Sequence, residues 1–358
     1  MFTKARALFS TRAALYRSGI EGTLQAVYDS APERALTPKS RFVILSDLHM
    51  GDGSSRDDFR HNAALVQEVL RDYYLAQGYG LVLNGDIEEL QRFRLPAIRR
   101  QWKDHFDLFE TFRRETGLFK IVGNHDDGLR LVLRTPDRPL FDAVRFTWKN
   151  DTLFLFHGHQ ATIFFERFND VSEFFLRYGA NLLQIHNTPV AYESSKKYRT
   201  EHRVYAFSAA RKIVSVIGHT HRPLFESLSK IDTLRFRIEQ LVRDYTGVSP
   251  RARAAIETAI TVYRRELARL WERDREDGLR SSLYNEQICV PCLFNSGCAI
   301  GKRGVTAIEI ADGRIGLVHW FDPSRPSRHA PEDGGIAERL GDTSYYRTVF
   351  KQDKLDYI

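Results

Sequence analysis

Five short apolar segments, each followed by Asp, Asn or His, constrain the fold of this 358-residue chain more than any other feature. The segments are three to five residues long, which fits buried β-strands, and they cover 42–45, 81–83, 118–122, 153–156 and 213–217. The polar clusters after them are Asp47-Leu48-His49, Gly85-Asp86, Gly123-Asn124-His125-Asp126, His157-Gly158-His159 and Gly218-His219-Thr220-His221. Because sites in open α/β sheets form at the carboxyl ends of strands, we expect these side chains to meet in space.

The remaining pattern predicts the fold class. Helical periodicity over Asp58–Leu75 and Ala97–Thr116 alternates with the first strands, which is typical of an α/β protein. Later segments predict two hairpins, Arg145–Phe156 and Thr306–Trp320, with Asp312-Gly313 at the second turn. We therefore predict an α/β fold (α+β in some schemes) with two mixed β-sheets packed face to face, flanking helices, and helical insertions that form a cap.

The chain divides into three parts by composition. Residues 1–40 form a basic, helical N-terminal leader, residues 41–325 form the core domain, and residues 326–358 form a polar, irregular C-terminal tail. Two helical insertions interrupt the core domain at about 161–211 and 228–282. In the second insertion, a helix begins at Ser249-Pro250, with serine as N-cap and proline in the first turn.

Composition narrows the class of protein. Hydrophobic residues make up 42% of the chain and charged residues 28%, as in ordinary globular proteins, and no apolar run approaches the roughly 20 residues that span a bilayer. A net charge of +7 suits anionic substrates without selecting one. Only three cysteines are present, which fits a reducing compartment, so we expect a cytoplasmic protein.

The N-terminal segment Met1–Gly19 leaves three alternatives open. It contains four basic residues and no acid: Lys4, Arg6, Arg12 and Arg17. It has no long apolar stretch, which excludes a secretory signal. It would be a helix packed on the domain, a helix in peripheral contact with an anionic membrane, or an organelle transit peptide.

The five polar clusters together resemble the motifs of the calcineurin-like metallophosphoesterase superfamily. That family carries DxH, GD, GNH(D/E), H and GHxH in this order, and every motif is present between residues 41 and 223. A weaker similarity follows at Asn295-Ser296-Gly297. The resemblance implies a metal-dependent hydrolase of phosphoester or pyrophosphate bonds with a dinuclear metal site and a bridging hydroxide as the nucleophile.

The resemblance also implies seven metal ligands in two groups. One ion is assigned to Asp47, His49 and His221, the other to Asn124, His157 and His219, and Asp86 bridges them. These oxygen and imidazole donors suit Mn²⁺, Fe or Zn²⁺ better than Ca²⁺. We expect two divalent ions, with Mn²⁺ as the first choice, since two cations lower the pKa of a shared water and neutralise phosphate oxygens.

Three further residues near the ligands receive roles. The resemblance implies that His125 is not a ligand; in the family this histidine faces the substrate and helps to protonate the leaving oxygen or to stabilise the transition state, which suits a histidine pKa near 6.5. Asp126 either orients His125 or caps the following turn. His159 supports the metal ligands from behind, faces the substrate, or is an ordinary hydrogen-bonded histidine; the sequence leaves these three alternatives open.

The sequence constrains the substrate less than it constrains the metal site. The residues around Asp47 and Asp86 look like the branch that includes the UDP-2,3-diacylglucosamine pyrophosphatases, which hold acyl chains under a helical lid. Aromatic residues from Phe164 to Leu182 recur at helical spacing at the corresponding place, and four basic residues follow as candidate phosphate contacts: Lys196, Lys197, Arg199 and Arg203. The alternative is that the aromatic residues pack on the core and that the basic ones are solvated.

Other functions remain as alternatives. A phosphorylated small molecule or a lipid-linked compound is the expected substrate, and nucleic acid is less favoured because the basic segments are short and separated. A nuclease or a phosphoprotein phosphatase would use the same metal chemistry. A non-catalytic scaffold with this fold is the alternative from another class, and the complete ligand set argues against it.

Overall fold

The computed structural model describes residues 19–132, 138–162, 194–225, 250–276, 293–300, 304–325 and 337–357, with residues 238, 241, 242 and 245. The strands are β1 (Glu33–Ala35), β2 (Phe42–Leu45), β3 (Gly80–Asn84), β4 (Leu118–Ile121), β5 (Leu140–Phe141), β6 (Ala143–Trp148), β7 (Asp151–Phe156), β8 (Val214–Ile217), β9 (Leu293–Asn295), β10 (Val305–Ala311), β11 (Arg314–Phe321), β12 (Glu338–Arg339) and β13 (Tyr346–Lys354).

The helices alternate with the first strands, and two of the described helices lie within the predicted insertions. They are α1 (19–30), α2 (Ala63–Glu68), α3 (Leu95–Gln101), α4 (Lys103–Glu115), α5 (Leu129–Val132), α6 (Ser194–Arg211) and α7 (Pro250–Glu276). A π-helix covers Val69–Leu75, and 3₁₀ turns lie at Phe59–His61, His159–Ala161 and Leu355–Tyr357.

Two mixed sheets form the centre of the fold, as predicted. In the described residues, one sheet has eight strands in the order β12-β13-β11-β10-β2-β3-β4-β5, and the other has five in the order β1-β6-β7-β8-β9. Strands β2 to β5 are parallel to one another, strands β7 to β9 are parallel to one another, and β1 is parallel to β6. The remaining neighbouring strands are antiparallel. The fold is therefore α/β with two mixed sheets.

Strand alternation explains why the sheets pack face to face. Successive side chains of a strand point to opposite faces, so each fully buried strand serves two cores. In β2, Phe42 and Ile44 pack against residues of the five-stranded sheet such as Phe146, while Val43 and Leu45 pack against the helices outside. Both faces of these strands are covered, which is why their sequences are continuously apolar.

Helices cover the outer face of each sheet. Helices α2 and α4 bury side chains against the eight-stranded sheet. On the outer face of the five-stranded sheet, Ile20 and Leu24 of α1 and Val204 and Phe207 of α6 join one cluster with Phe154. The described part of the predicted leader, residues 19–35, thus packs on the core, and β1 adds a strand there that sequence reasoning missed.

Several sequence predictions are confirmed, with local differences. The hairpins β6–β7 and β10–β11 form as predicted. The helix predicted over Ala97–Thr116 is broken at Trp102, whose Nε1 donates to the Gly51 carbonyl oxygen at 2.9 Å. The prediction of an irregular C-terminal tail is wrong for Tyr346–Lys354, because this segment forms β13 and pairs with β11 along its whole length.

Residues 226–291 form a second compact unit. Its described part is α7 with four residues before it, and the hydroxyl of Tyr245 donates to Glu257 while Arg253 lies 5.3 Å from the Tyr245 ring centre. The helix predicted over Ile231–Tyr245 lies largely outside the described residues, as do residues 1–18 and the aromatic segment Phe164–Leu182. No helix in the described ranges is long and apolar enough to cross a bilayer.

A buried ion pair attaches β13 to the sheet. Arg347 and Glu309 are 9% and 5% exposed, and the guanidinium donates to the carboxylate through Nε at 3.1 Å and through Nη2. The hydroxyl of Tyr74 also donates to Glu309 at 2.7 Å and accepts from Trp320 Nε1 at 2.9 Å. This network joins three strands to the π-helix, so it explains why a polar sequence such as β13 enters the core.

We predict that Arg347→Met lowers the free energy of unfolding by about 3–5 kcal/mol, because the Glu309 carboxylate stays buried without its cation. Lys351→Met is the matched control on β13, and it should change this free energy by less than about 0.5 kcal/mol because Lys351 is exposed. Urea denaturation measures both values. Equal losses in the two variants would show that the ion pair contributes nothing specific.

Candidate metal centre

The predicted site lies where the carboxyl ends of the parallel strands of both sheets meet. Backbone hydrogen bonds continue past the strand ends, from Asp47 N to Gly85 O and from Gly218 N to His157 O, each at 3.0 Å. The sheets are joined by Asn84, whose Nδ2 donates to Phe156 O at 3.1 Å, and by His157, whose Nδ1 donates to Asn84 O at 2.9 Å. The strand ends therefore hold the five motifs in fixed relative positions.

The first group of candidate ligands is Asp47, His49 and His221, whose donor atoms lie within 4.8 Å of one another. Asp47 Oδ1 is 3.0 Å from His221 Nε2 and 3.8 Å from His49 Nε2, and the two imidazole Nε2 atoms are 3.1 Å apart. Asp47 is fully buried, and its other oxygen accepts from His219 N at 3.0 Å.

The second group is Asp86, His157 and His219, again with donor atoms within 4.8 Å. Asp86 Oδ2 lies 3.0 Å from His157 Nε2 and 3.9 Å from His49 Nε2, so this oxygen faces both groups. Asp86 Oδ1 accepts from His125 N at 2.8 Å. The arrangement gives Asp86 the position that a bridging carboxylate would need.

Buried atoms without hydrogen-bond partners test whether these residues fit a metal. Buried polar groups in folded proteins are almost always hydrogen-bonded. Yet four buried donor atoms of the predicted ligands have no hydrogen bond: Asp47 Oδ1, Asn124 Oδ1, His157 Nε2 and His219 Nε2. Asp47 Oδ1 lies 3.0 Å from His221 Nε2, and His157 Nε2 lies 3.0 Å from Asp86 Oδ2, but these are ion-pair contacts without hydrogen-bond geometry. The donor set therefore fits cations of the kind bound by Asp, Asn and His.

The backbone is also unusual at these residues. Eight non-glycine residues of the described chain have positive φ, and five of them are predicted ligands: Asp47 (55°), His49 (48°), Asp86 (54°), His219 (62°) and His221 (56°). Such conformations cost about 1–3 kcal/mol each and persist only where the surroundings enforce them. Strain concentrated at the ligands indicates that the loops are shaped for the site.

One glycine in these loops is required by space. A Cβ atom on Gly123 would lie 2.2 Å from Asp86 Oδ1 and 2.5 Å from Asp86 N. Gly123 has no positive φ, so its backbone conformation is open to other residues and only the close approach excludes them. Glycine at this position allows the loop that carries Asn124 to lie directly against Asp86.

Sequence reasoning missed Glu89, which links the predicted ligand His49 to the predicted catalytic residue His125. Its Oε2 lies 2.9 Å from His49 Nδ1, and its Oε1 lies 2.9 Å from His125 Nδ1. Glu89 is 1% exposed, and Arg92 Nη2 approaches Oε2 at 3.5 Å. One carboxylate therefore orients both imidazoles, and the acidic pair after Gly85-Asp86-Ile87 was the available signal.

Asp126 serves the loop rather than His125. Its oxygens accept from Gly123 N at 2.6 Å and from Ile87 N at 2.8 Å, which ties two motif loops together. Burial, with Glu88 nearby, raises the pKa of Asp126 to about 7. Glu88 is itself buried and paired with Lys120 of β4. These side-chain contacts lie on the loop before Asp126 and on the loop of Asp86, and not on the following turn that the sequence interpretation named.

Charges in the centre are balanced between carboxylates and imidazoles. Burial raises the pKa of Asp86, but His157 and His125 outweigh it and hold the pKa well below its ordinary value. Burial lowers the pKa of His157, yet Asp86 overcomes it and raises the value to about 10. For His219 burial dominates and lowers the pKa to about 3. The carboxylates thus attract positive charge, which protons or metal cations would supply.

The predicted substrate contacts are less well defined. His159 is buried, with its ring centre 5.5 Å from that of His157, and burial keeps its pKa well below the ordinary value. Arg203 donates to Ala161 O at 2.9 Å, and Arg199 is exposed. The side chains of Lys196 and Lys197 lie outside the described part of α6. Their roles as substrate contacts stay predictions.

The chain matches no protein-family model and shows no significant similarity to a curated protein sequence. Solved structures give matches of low similarity. An uncharacterized protein from Streptococcus pneumoniae, a predicted phosphoesterase, has 13% identity and a TM-score of 0.29 over 80% of this chain and 91% of its own. Vacuolar Protein Sorting 29 from Cryptosporidium parvum has 9% identity and a TM-score of 0.34 over 79% and 91%. A dimetal phosphatase from Danio rerio has 10% identity and a TM-score of 0.36 over 78% and 96%. These similarities are too low to assign a function.

We predict that Gly123→Ala weakens Mn²⁺ binding by roughly 10–100-fold, since the new methyl group displaces the Asp86 carboxylate. Gly128→Ala is the matched control in the same loop, because its Cβ would meet only Leu90 Cδ1 at an ordinary 3.6 Å. Isothermal titration calorimetry with MnCl₂ measures both. Wild-type affinity in Gly123→Ala would contradict the role of Asp86 in the centre.

Proposed function

We propose that the chain is a metal-dependent hydrolase that cleaves phosphoester or pyrophosphate bonds at the centre formed by the five motifs. The observation that carries the proposal is the grouping of buried Asp and His side chains around Asp47 and around Asp86, together with four buried ligand atoms that have no hydrogen-bond partner. Two divalent cations would be held by the seven predicted ligands, with Mn²⁺ as the first choice and Fe or Zn²⁺ as alternatives. Bound there, they would supply an activated water and neutralise phosphate oxygens.

His125 is the residue we assign to proton transfer. Burial lowers its pKa, but the carboxylates of Asp86 and Glu89 outweigh this effect and raise it to about 8. In the metal-free protein this raised pKa favours the protonated imidazole, which is the form that a general acid needs. Because Nδ1 is engaged by Glu89, Nε2 is the nitrogen that would give its proton to the leaving oxygen. No protein nucleophile is needed in this scheme.

The substrate class is a narrower proposal. A phosphorylated small molecule is the expected substrate, and Arg199 and Arg203, both on α6, are the candidate phosphate contacts whose side chains are described. A lipid-linked substrate, as in a UDP-2,3-diacylglucosamine pyrophosphatase-like enzyme, depends on Phe164–Leu182, which lies outside the described residues. We therefore propose the reaction class and leave this alternative to a substrate screen.

Two variants test the proposal through a division of roles. With Mn²⁺ added, the wild type should hydrolyse bis(p-nitrophenyl) phosphate, and the screen should include p-nitrophenyl phosphate and a pyrophosphate-linked nucleotide. His125→Ala should keep its metal and lose about 10²–10⁴-fold in turnover, as expected for a lost general acid. Asp86→Ala should lose metal as well as activity. His61→Ala, on the helical turn Phe59–His61, is the control and should match the wild type.

Metal content by elemental analysis and rates by nitrophenolate absorbance give the outcome. Loss of metal in His125→Ala would contradict the role given to this residue. Bound metal without turnover on any of the three substrates would favour the scaffold alternative. Nucleic acid serves as a fourth substrate. If its turnover is far above that of the three small substrates, the result would favour the nuclease alternative.

A further inference from the structure

The loop after β8 carries one histidine of each ligand group. His219 belongs to the group around Asp86, and His221 belongs to the group around Asp47. Both histidines have positive φ, so the loop does not hold this shape by backbone preference alone. Thr220 lies between them and is fully buried. Whatever fixes Thr220 therefore fixes the two histidines together.

Thr220 is held from two sides. Asn295 Nδ2, at the end of β9, donates to Thr220 Oγ1 and to Gly218 O, both at 2.9 Å. The orientation of the Asn295 amide is set by its Oδ1, which accepts from Gly297 N at 2.8 Å. Since the amide nitrogen can only donate, the single hydroxyl proton of Thr220 is free to go elsewhere.

That proton goes to Glu201 of α6. Thr220 Oγ1 donates to Glu201 Oε1 at 2.8 Å. Glu201 is 0% exposed, and its carboxylate also accepts from Arg222 through Nε at 3.2 Å and through Nη2. Burying a carboxylate with only one cationic partner costs folding free energy. The position of Glu201 is therefore better explained by its contact with the loop after β8 than by a contribution to stability.

We propose, resting on the function proposed above, that Thr220 and Glu201 are positioning residues. Together they fix the two histidines of the loop after β8, and so the distance between the two metal positions. Neither residue contacts the metals or the substrate in this scheme. Glu201 acts through Thr220, and Asn295 completes the clamp from the opposite side.

The scheme predicts that removing the Thr220 hydroxyl lowers Mn²⁺ affinity at both metal positions. Thr220→Val keeps the shape of the side chain and removes its donor, and we expect Mn²⁺ affinity to fall roughly 10–100-fold at both sites. Asn124→Ala, in contrast, should weaken only one site. Thr220→Ser restores the hydroxyl and should bind Mn²⁺ as the wild type does, which a simple packing role of the methyl group would not give.

Ser208→Ala is the matched control on α6. Ser208 is buried, donates to Val204 O at 2.8 Å and pairs with Ser215 Oγ of β8 at 2.6 Å. The substitution therefore removes a buried hydroxyl between α6 and β8 without changing a residue of the loop after β8. The Mn²⁺ affinity of Ser208→Ala should stay at the wild-type value. If Thr220→Val does not fold, Glu201→Gln takes its place, with a loss of about tenfold at both sites expected.

The measurement is calorimetric titration of metal-free full-length protein with MnCl₂, checked by the electron paramagnetic resonance signal of unbound Mn²⁺. Wild-type affinity in Thr220→Val or Glu201→Gln, or an equal loss in Ser208→Ala, would overturn the inference. If the wild type binds no Mn²⁺, the proposed function and this inference fall together. If the wild type binds Mn²⁺ but hydrolyses no phosphoester, only the proposed function falls.

Discussion

Two buried carboxylates at the junction of the sheets govern the rest of this structure. Asp47 and Asp86 are 0% and 1% exposed, and each stands at the carboxyl end of a fully buried strand. A charge removed from water is costly unless opposite charge or hydrogen bonds offset the loss. Imidazoles from the other sheet lie within about 3 Å of both carboxylates and meet this demand only in part. A site of this kind favours cations.

The surrounding loops follow from that requirement. Five of the seven predicted ligands adopt positive φ, and Gly123 gives Asp86 the space it needs. Glu89 then orients His49 and His125 from one side of the centre. Hydrogen bonds from the other motif loops hold the remaining side. Strain at the ligands is thus offset by polar contacts that lie just behind them, a common arrangement in metal sites.

The sequence predicts the parts of this fold that local pattern encodes. Continuous apolar strands and the polar clusters after them are local features, so β2, β3, β7 and β8 and the motif residues they position follow directly. Residues that act through distant partners are different. Glu89 is marked only by the acidic pair after Gly85-Asp86-Ile87, and Glu201 looks like an ordinary surface acid, because their partners His125 and Thr220 lie in other motifs. Strand β13 is hidden for a related reason: its buried residue Arg347 is polar, and its partner Glu309 is far away in the sequence.

The claim that Asp86 bridges two cations is tested most directly by anomalous diffraction from crystals grown with Mn²⁺. The account predicts two peaks roughly 3.5–4 Å apart, the usual spacing of two-metal hydrolytic sites. One peak should lie beside His49 and His221, the other beside His157 and His219, with Asp86 between them. A single peak, peaks away from Asp86, or no peak at these residues would contradict the account.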